Sequence, residues 1–502
     1  MNHLLSLLVF SPLAGILAVS FLSWENERAI RLAGLFGTLL PLLIVLIAAA
    51  GFQSSVSDLQ MTEQANWISY TLEGLNGRMQ LNIDYELGVN GLSLVLLILT
   101  SVVSVLAALA SWNMKNASKS YFIFFLILEL GMLGVFASQN LFLFFIFFEI
   151  TLIPMFFLIG KWGYADREKA AYSFLIYNGI GSAILLIVFV ALFMKTGTMN
   201  YVELAKILAS PDGAGAAGST FRLTVLISLL IAFGIKLPIF PLHTWMLRVH
   251  VQAPPPVVML HSGILLKIGA YGLFTFGMGF FPEEFKKLGV LIAVLGVINL
   301  LYGAFLAIVQ TDLKKVLAYS SVSHMGIVLI GLAAMNEAGV KGAIFQLVSH
   351  GLISALLFFL IGVLYERSGS SDIQDFGGLA AAMPITAGVL LAGGLASLGL
   401  PGMSGFISEF LAFVGLFETM PVIAAVGALG IILTAVYILR AVLAVTFGPQ
   451  KEAHSAFKDL TVLEKIPAFV LLALVLFIGV YPEILSKSLT AVLDTILLGL
   501  RG

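Results

Sequence analysis

Two lysines lie deep inside apolar stretches of this sequence, where a charge is costly. Lys236 is in AFGIKLPIFPLHTW and Lys267 is in HVQAPPPVVMLHSGILLKIGAYG. A lysine at the centre of a membrane helix costs about 2.5–3.5 kcal/mol on insertion scales, so it persists where it pairs, faces water or acts on an ion. Pro238 and Pro241 follow Lys236, and a proline cannot bond back to the carbonyl four residues earlier, beginning here with that of Gly234. We therefore predict a broken helix with a buried ammonium at the break.

An acid lies at similar depth in another apolar stretch. Glu149 follows eight apolar residues in LFLFFIFFEITLIPMFF, which places it ~14 Å into its helix at ~1.5 Å per residue. We expect it to partner Lys236. Burial disfavours both charges while mutual pairing favours them, so a pair whose separation changes can load and release a proton. A static ion pair that braces two helices is the alternative.

Lys267 has no acid in its own apolar stretch. It is therefore expected either to pair across helices or to be partly neutral. A desolvated lysine that exchanges protons readily suits a proton carrier. Snorkelling of the side chain to the membrane interface is the alternative, and the position of Lys267, eleven residues after Pro256, counts against it.

Histidines form a second group of candidates. His324 in YSSVSHMG and His350 in FQLVSHGLIS lie in neighbouring apolar stretches, each beside serine and glycine. A neutral imidazole accepts on one nitrogen and donates on the other, so it can relay a proton. His261, in MLHSG, could extend this row, and His243 lies in the turn after the break as an accessory candidate. Hydrogen-bonded packing is the alternative role for each of them.

The remaining buried charges receive separate interpretations. Glu409 follows a second proline- and glycine-containing helix break, in PGMSGFISEFLAF. We predict that it is the exit group for protons in the C-terminal half of the chain. Glu129, in FLILELGML, is either an accessory site or a polar contact between helices. Arg440 is expected to snorkel. Asp312 should cap the helix that starts at DLKKVLAYSS and neutralise the lysines that follow it.

Composition assigns the chain to a class. Its 502 residues are 60% hydrophobic and 11% charged, with a mean hydropathy of +1.06, whereas a soluble protein carries about 25% charged residues. The chain is therefore predicted to be an all-α polytopic membrane protein. The net charge of -1 gives no reason to expect nucleic acid. The absence of cysteine excludes disulfides, cysteine-ligated iron–sulfur clusters and thiol nucleophiles, and no cofactor or metal site is expected.

Apolar runs of about 20 residues cross a bilayer, and the sequence contains fourteen of them. The first, MNHLLSLLVFSPLAGILAVSFLSW, lacks a basic start and a cleavage site, so we interpret it as a membrane helix and not a signal peptide. The predicted spans are about 3–23, 30–51, 87–111, 120–137, 140–160, 171–194, 222–242, 256–280, 288–309, 314–334, 339–364, 382–417, 421–447 and 464–485. An amphipathic tail, 486–502, follows them.

The twelfth span is too long for one plain helix and contains SLGLPGMSGF. Pro401 should free the carbonyl of Ser397, and the glycines should loosen the turn. Breaks in spans seven and twelve lie five helices apart, so we predict two five-helix repeats, 118–280 and 286–447, of inverted topology. Broken helices at matching positions of such repeats indicate an ion path near the membrane midplane. Helices 1–3, at 1–111, and helix 14 with the tail, at 463–502, complete one membrane domain, 1–502.

Basic residues predict the orientation, because they concentrate in cytoplasmic loops. With the N-terminus outside, the inner loops hold fourteen lysines and arginines and the outer loops seven. We therefore expect both termini on the outer side of a bacterial plasma membrane.

Six motifs occur in one order: FFEITLIPMFFLIG, AFGIKLPIFPLHTW, HVQAPPPVVMLHSGILLKIGAYG, QTDLKKVLAYSSVSHMG, FQLVSHGLISALLFFLIG and GLPGMSGFISEFLAF. They resemble the antiporter-like membrane subunits of respiratory complex I, which are related to Mrp-type cation/proton antiporters and membrane-bound hydrogenases. The resemblance implies a proton path with six site residues: Glu149, Lys236, Lys267, His324, His350 and Glu409. Glu409 resembles the M branch, where the L and N siblings have lysine. Gln252 and His261 depart from HVEAPTAGSVILAG, which many members have.

The resemblance implies a proton-translocating, non-redox subunit of an NADH–quinone oxidoreductase, with L-like and N-like subunits, lipid and protons as partners. A D-type subunit of a sodium/proton antiporter and a hydrogenase membrane subunit are alternatives of the same fold. A haem-bearing cytochrome with His261, His324 and His350 as axial ligands is an alternative of another class. No GxGxxG motif follows a strand, which disfavours a dehydrogenase.

Overall fold

The computed structural model describes residues 3–74, 77–114, 117–209, 218–451 and 457–501. Within these ranges, thirteen helices are long and apolar enough to cross a membrane. The remaining predicted span, 382–417, is divided into two shorter helices, Pro384–Ser397 and Ser404–Thr419. The prediction of an all-α polytopic membrane protein is therefore confirmed for the membrane part of the chain.

We number the membrane helices α1 to α14 and mark the halves of the interrupted ones a and b. Their bounds are α1 Leu4–Phe21, α2 Glu27–Gly51, α3 Gly91–Ala110, α4 Ser118–Ala137, α5 Leu141–Trp162, α6 Arg167–Thr196, α7a Ser219–Lys236, α7b Thr244–Gln252, α8 Pro255–Met278, α9 Gly289–Val309, α10 Leu313–Ala334, α11 Glu337–Ser368, α12a Pro384–Ser397, α12b Ser404–Thr419, α13 Pro421–Thr446 and α14 Val462–Val480. Short helices outside this series are Tyr201–Ala209, Pro282–Lys287, Leu379–Ala382 and the tail helix Glu483–Arg501.

The region between the second and third predicted spans, 52–86, is mostly an antiparallel hairpin. Strand β1 is Gln60–Gly74 and strand β2 is Gly77–Val89. The third span therefore begins at Gly91 and not at 87, because the strand runs up to the capping residue Asn90, whose side chain accepts from the Ser93 amide. The segment alternates polar and apolar residues, a period that a search for long apolar runs does not detect.

Helix α7 is interrupted after Lys236, as predicted, but one of its backbone hydrogen bonds differs from the prediction. The carbonyl of Gly234, expected to be free, accepts from the Ile239 amide at 2.8 Å, five residues on. The following backbone is held by Asn299 of α9, whose Oδ1 accepts from the Phe240 amide at 2.7 Å and whose Nδ2 donates to the Pro238 carbonyl at 3.1 Å. A side chain from a neighbouring helix thus replaces the lost helical partners, as buried backbone in a membrane requires.

The break in α12 follows the prediction closely. Gly399 and Gly402 have φ of 77° and 91°, a left-handed conformation that strains any residue with a Cβ. The carbonyl of Ser397 accepts a hydrogen bond from His324 Nε2 at 3.1 Å, so the group that Pro401 was predicted to free has a functional candidate as its partner. The break therefore exposes backbone to the interior of the helix bundle.

The helices that carry the candidate residues lie at the centre of the bundle. The most apolar windows of α8 and α11 are 100% buried inside the chain, and that of α10 is 94% buried. Those of α2, α13 and α14 are only 33% buried, so their apolar side chains face outwards, as expected for contact with lipid. Each interrupted helix is the fourth of its predicted five-helix unit; the inversion of these units stays a prediction.

Candidate functional site

Lys267 is the centre of the site. It is fully buried in α8, just after a π-helical turn at His261–Leu265. Its Nζ donates to the Ser262 carbonyl at 2.5 Å and contacts His350 Nδ1 at 2.7 Å. The lysine therefore pairs across helices, with an imidazole and not with a carboxylate.

His350, in α11, continues the row beyond Lys267. Its other ring nitrogen, Nε2, is 3.1 Å from the Ser321 hydroxyl of α10. That hydroxyl donates to the Leu317 carbonyl at 3.1 Å and is 3.4 Å from the Ser262 hydroxyl. Both nitrogens of His350 are thus engaged, which is the arrangement that lets an imidazole accept a proton on one side and release it on the other.

His324 is the next titratable group. Its ring centroid is 5.5 Å from that of His350. Its Nδ1 is 3.5 Å from the Ser320 hydroxyl, which accepts from the Tyr437 hydroxyl at 3.0 Å. Its Nε2 contacts the Ser397 carbonyl at the α12 break, so the histidine joins α10 to the interrupted helix.

A small cavity lies beside the two histidines, next to Ser397 at the α12 break. It holds about 10 Å³ for the centre of a water-sized sphere, enough for roughly one water molecule. Its polar lining is Ser320, Ser321, Ser354, the two histidines and Ser397. This space is far too small for a haem, and both nitrogens of His350 already have partners, so the geometry disfavours the cytochrome alternative.

Glu409 lies in the second turn of α12b and ends the row. Its Oε1 is 3.9 Å from His324 Nε2, and it is buried on that side. On the other side it lines an open cavity of about 490 Å³ together with Phe406, Phe410 and Glu418. Glu409 therefore lies at the end of the buried row, beside an open cavity with a mainly apolar lining.

Lys236 and Glu149 are near each other without direct contact. Lys236 is buried, and its Nζ lies 4.8 Å from the ring centre of Phe148 and 5.7 Å from that of Phe174. Glu149 acts on it electrostatically, but the salt bridges of the described residues do not include this pair, and Glu149 Oε1 has no hydrogen-bond partner. The expected close ion pair is thus an open pair with aromatic rings around the ammonium.

A histidine pair lies between the two lysines. His250 Nε2 and His261 Nδ1 are 2.9 Å apart, and both rings are buried. Lys236 and Lys267 both act electrostatically on His261. His261 therefore joins His250 and not the His324–His350 row. His243 stacks near Phe240 at 5.8 Å, and neither of its nitrogens has a partner in the described part of the chain.

The other buried charges have local roles. Asp312 Oδ1 accepts from the Lys315 amide at 3.0 Å and caps α10, as predicted. The Arg440 side chain donates to the Ile308 carbonyl of α9, so it binds backbone near the end of that helix. Glu129 is fully buried, and among the described residues neither of its oxygens has a hydrogen-bond partner. Ser104 of α3 interacts with it weakly.

Sequence reasoning missed the residues that hold the two breaks in place. Asn299 is a single amide in the apolar helix GVLIAVLGVINLLYGAFLAIV, and a lone polar residue of that kind was the available signal. Ser404 of α12b contacts the Ser349 hydroxyl at 2.8 Å, next to His350. Ser408 donates to Gln346 Oε1 at 2.5 Å. These bonds attach the second half of α12 to α11.

The fold and this buried row define a multi-pass membrane protein with titratable groups inside its helix bundle. Residues 138–434 match the family described as "NADH:quinone oxidoreductase/Mrp antiporter, TM". The chain is 35% identical over 496 residues to NADH-quinone oxidoreductase subunit M of Rhodobacter capsulatus, covering 97% of this chain and 94% of that relative. It is also 35% identical over 494 residues to NAD(P)H-quinone oxidoreductase chain 4 of Gloeobacter violaceus, covering 96% of this chain and 90% of the relative.

Solved structures of related complexes contain chains with the same fold. A chain of respiratory complex I from Thermus thermophilus superimposes with a TM-score of 0.86 at 29% identity, over 99% of this chain and 100% of that one. A chain of the Mrp complex from a Dietzia species shares the fold, with a TM-score of 0.83 at 22% identity over 99% and 100% of the two chains. The chain belongs to the NADH:quinone oxidoreductase/Mrp antiporter family, and the resemblance drawn from its motifs is confirmed.

Proposed function

We propose that this protein moves protons across the membrane as the M-type antiporter-like subunit of an NADH–quinone oxidoreductase. The single observation that carries the proposal is the buried row of titratable groups, in which Lys267 contacts His350 at 2.7 Å, the rings of His350 and His324 are 5.5 Å apart, and His324 is 3.9 Å from Glu409. Each member can hold or pass a proton, and the last one meets an open cavity. Relatives of this length and identity carry the name of that oxidoreductase.

The chemistry follows the order of the groups. Glu149 and Lys236 form the loading pair, whose separation sets whether the ammonium keeps its proton. Lys267 exchanges its proton with His350, which is in direct contact with it. His350 passes a proton toward His324 by way of the serine-lined cavity. Glu409 receives it and releases it to the outside. Glu129, His243 and His261 are accessory to this path.

The chain contributes transport and not electron transfer. The sequence has no cysteine that could ligate an iron–sulfur cluster. Energy would arrive from neighbouring subunits, including L-like and N-like members, as electrostatic or conformational change at the Glu149–Lys236 pair. We place the protein in a bacterial plasma membrane with both termini on the outer side, as its basic residues predict.

The experiment replaces His350 in the assembled complex. His350→Gln keeps volume and hydrogen bonding but cannot carry the proton, so proton uptake by inverted membrane vesicles should fall by roughly a hundredfold, the lower range for loss of an acid–base group. His3→Gln, at an exposed histidine outside the row, is the matched control and should have no effect. Wild-type proton uptake by a fully assembled His350→Gln complex would refute the proposal.

A further inference from the structure

A third buried lysine, outside the row, is held between two tyrosine rings. Lys314 lies in the first turn of α10 and is only 5% exposed. Its Nζ is 3.6 Å from the ring centre of Tyr164 and 3.7 Å from that of Tyr365. The two rings are 4.7 Å apart at 61°, so the ammonium lies in the angle between them. We call these three residues the lysine clamp.

The clamp joins parts of the chain that are distant in sequence. Tyr164 lies in the turn between α5 and α6, and Tyr365 lies in the last turn of α11. The amide of Tyr164 donates to the Gln252 carbonyl at 2.8 Å, at the end of α7b. Gln252 Oε1 also accepts from the Asp166 amide at 3.1 Å. Through the two tyrosines, Lys314 of α10 is therefore linked to the C-terminal end of α7b and to the last turn of α11.

The aromatic faces take the place of a carboxylate. Among the described residues, Lys314 makes no salt bridge within 4.0 Å. Asp312 acts on it electrostatically, but the oxygens of Asp312 already accept from the Lys315 amide and the Ser371 hydroxyl. Ring faces attract a cation through their quadrupole, and this attraction strengthens when the cation is desolvated. The two ring faces therefore add to the neutralisation of this lysine by Asp312 that the sequence predicts.

The clamp lies at the start of the helix that carries His324 and two of the serines beside the row. Ser320, Ser321 and His324 follow Lys314 by six, seven and ten residues on α10, which is ~9–15 Å along a rigid helix. A rotation or shift of the start of α10 would therefore move all three relative to His350. We propose that Lys314 is a positioning residue for proton transfer, whose contact with Tyr164 and Tyr365 keeps α10 in register with α11. This inference rests on the proposed function of the row.

The test uses variants that distinguish the effect of the Lys314 charge, the effect of the Tyr365 ring and a general loss of folding. In the assembled complex, Lys314→Met keeps the length but removes the charge, and proton uptake should fall by roughly tenfold. Lys314→Arg stacks on aromatic rings and should retain most of it. Tyr365→Phe keeps the ring face and should be close to wild type, whereas Tyr365→Leu should resemble Lys314→Met. Lys315→Met, at the exposed neighbouring lysine, is the matched control.

Assembly of each variant is checked by native gel, so that a change in proton uptake can be attributed to the positioning role of Lys314. Wild-type uptake by Lys314→Met, or equal losses in Tyr365→Phe and Tyr365→Leu, would overturn the inference. Loss of assembly in Lys314→Met with full assembly and wild-type uptake in Tyr365→Leu would also overturn it, because the ring would then be dispensable. If His350→Gln is impaired while the clamp variants are normal, only this inference fails. If His350→Gln is normal, the proposed function fails.

Discussion

Replacing Glu409 tests the exit end of the row most directly. Glu409 Oε1 is 3.9 Å from His324 Nε2, and the other side of the carboxyl group faces the open cavity. Glu409→Gln retains the shape and the hydrogen bonding of the side chain but can no longer bind and release a proton. Glu409→Lys restores a group that exchanges protons, with the opposite charge.

The distance gives the size of the effect. Two unit charges 3.9 Å apart attract with about 4 kcal/mol at an effective dielectric constant of about 20. A proton on His324 loses this stabilisation in Glu409→Gln. If the transfer step carries the full charge on the imidazole, the rate falls roughly a thousandfold; with half of the charge, it falls roughly thirtyfold. The cavity lets a lysine at this position turn its ammonium away from His324, so Glu409→Lys should lose less than Glu409→Gln.

The assay is initial proton uptake by inverted vesicles that contain equal amounts of assembled complex. We expect wild type to exceed Glu409→Lys, and Glu409→Lys to exceed Glu409→Gln. A structural brace between Glu409 and His324 predicts the reverse order of the variants, since glutamine can still hydrogen-bond the histidine whereas lysine repels it. Higher uptake by the glutamine variant would therefore refute the exit role.

Three further predictions concern the other end of the path and the scaffold. Glu149→Gln should remove most proton transport by the assembled complex, because the loading pair loses its acid, and Glu149→Asp should retain more transport than Glu149→Ala; a normal glutamine variant would contradict this. Asn299→Leu should lower the unfolding free energy in detergent by about 1–3 kcal/mol, because two backbone groups at the α7 break lose their partner; an unchanged melting temperature would count against it. Burial raises the pKa of Asp459, but hydrogen bonds from the Thr386 side chain and from three amides outweigh it, so the pKa lies below its usual value. Its cap on α12a is therefore fully formed above about pH 3.9 and is lost as pH falls through the lower folded pKa, so the melting difference between wild type and Asp459→Ala should be present at pH 7 and shrink below about pH 4.

The membrane spans and both breaks could be predicted from the sequence because each depends on a local rule. A run of about twenty apolar residues is long enough to cross a bilayer whatever its neighbours are. Any proline inside a helix leaves the carbonyl four residues earlier without its helical partner, and Pro401 is such a case. The titratable candidates could be found for the same reason, since a charge such as Lys267 in an apolar run is conspicuous. The hairpin at 60–89 was missed because its period of two is invisible to a search for long apolar runs.

Partners across helices could not be predicted, because they depend on how the helices rotate against one another. Nothing local to Lys267 indicates that His350, 83 residues away, is its neighbour. The contact of His261 with His250 is likewise not indicated by the sequence, which suggested only that His261 could extend the row of His324 and His350. Asn299 accepts a hydrogen bond from the amide of Phe240 at the α7 break, 59 residues away in sequence. In each case the residue type was visible in the sequence and the contact was not.

The distribution of charge along the path explains how a distant event could drive transport. In the proposed path, acids lie at the two ends, Glu149 beside Lys236 and Glu409 beside His324, and the titratable groups between them in the described part of the chain are lysines and histidines. A proton in the interior therefore has no fixed anion to trap it, and its position depends on the charges of its neighbours. Unit charges about 8 Å apart interact with roughly 2 kcal/mol at an effective dielectric constant of about 20. On this proposal, opening the Glu149–Lys236 pair shifts the proton on Lys267 through the intervening His261, on which both lysines act electrostatically. Each transfer then changes the field at the next group, so that a change at one end can reach Glu409 without a large movement of any helix.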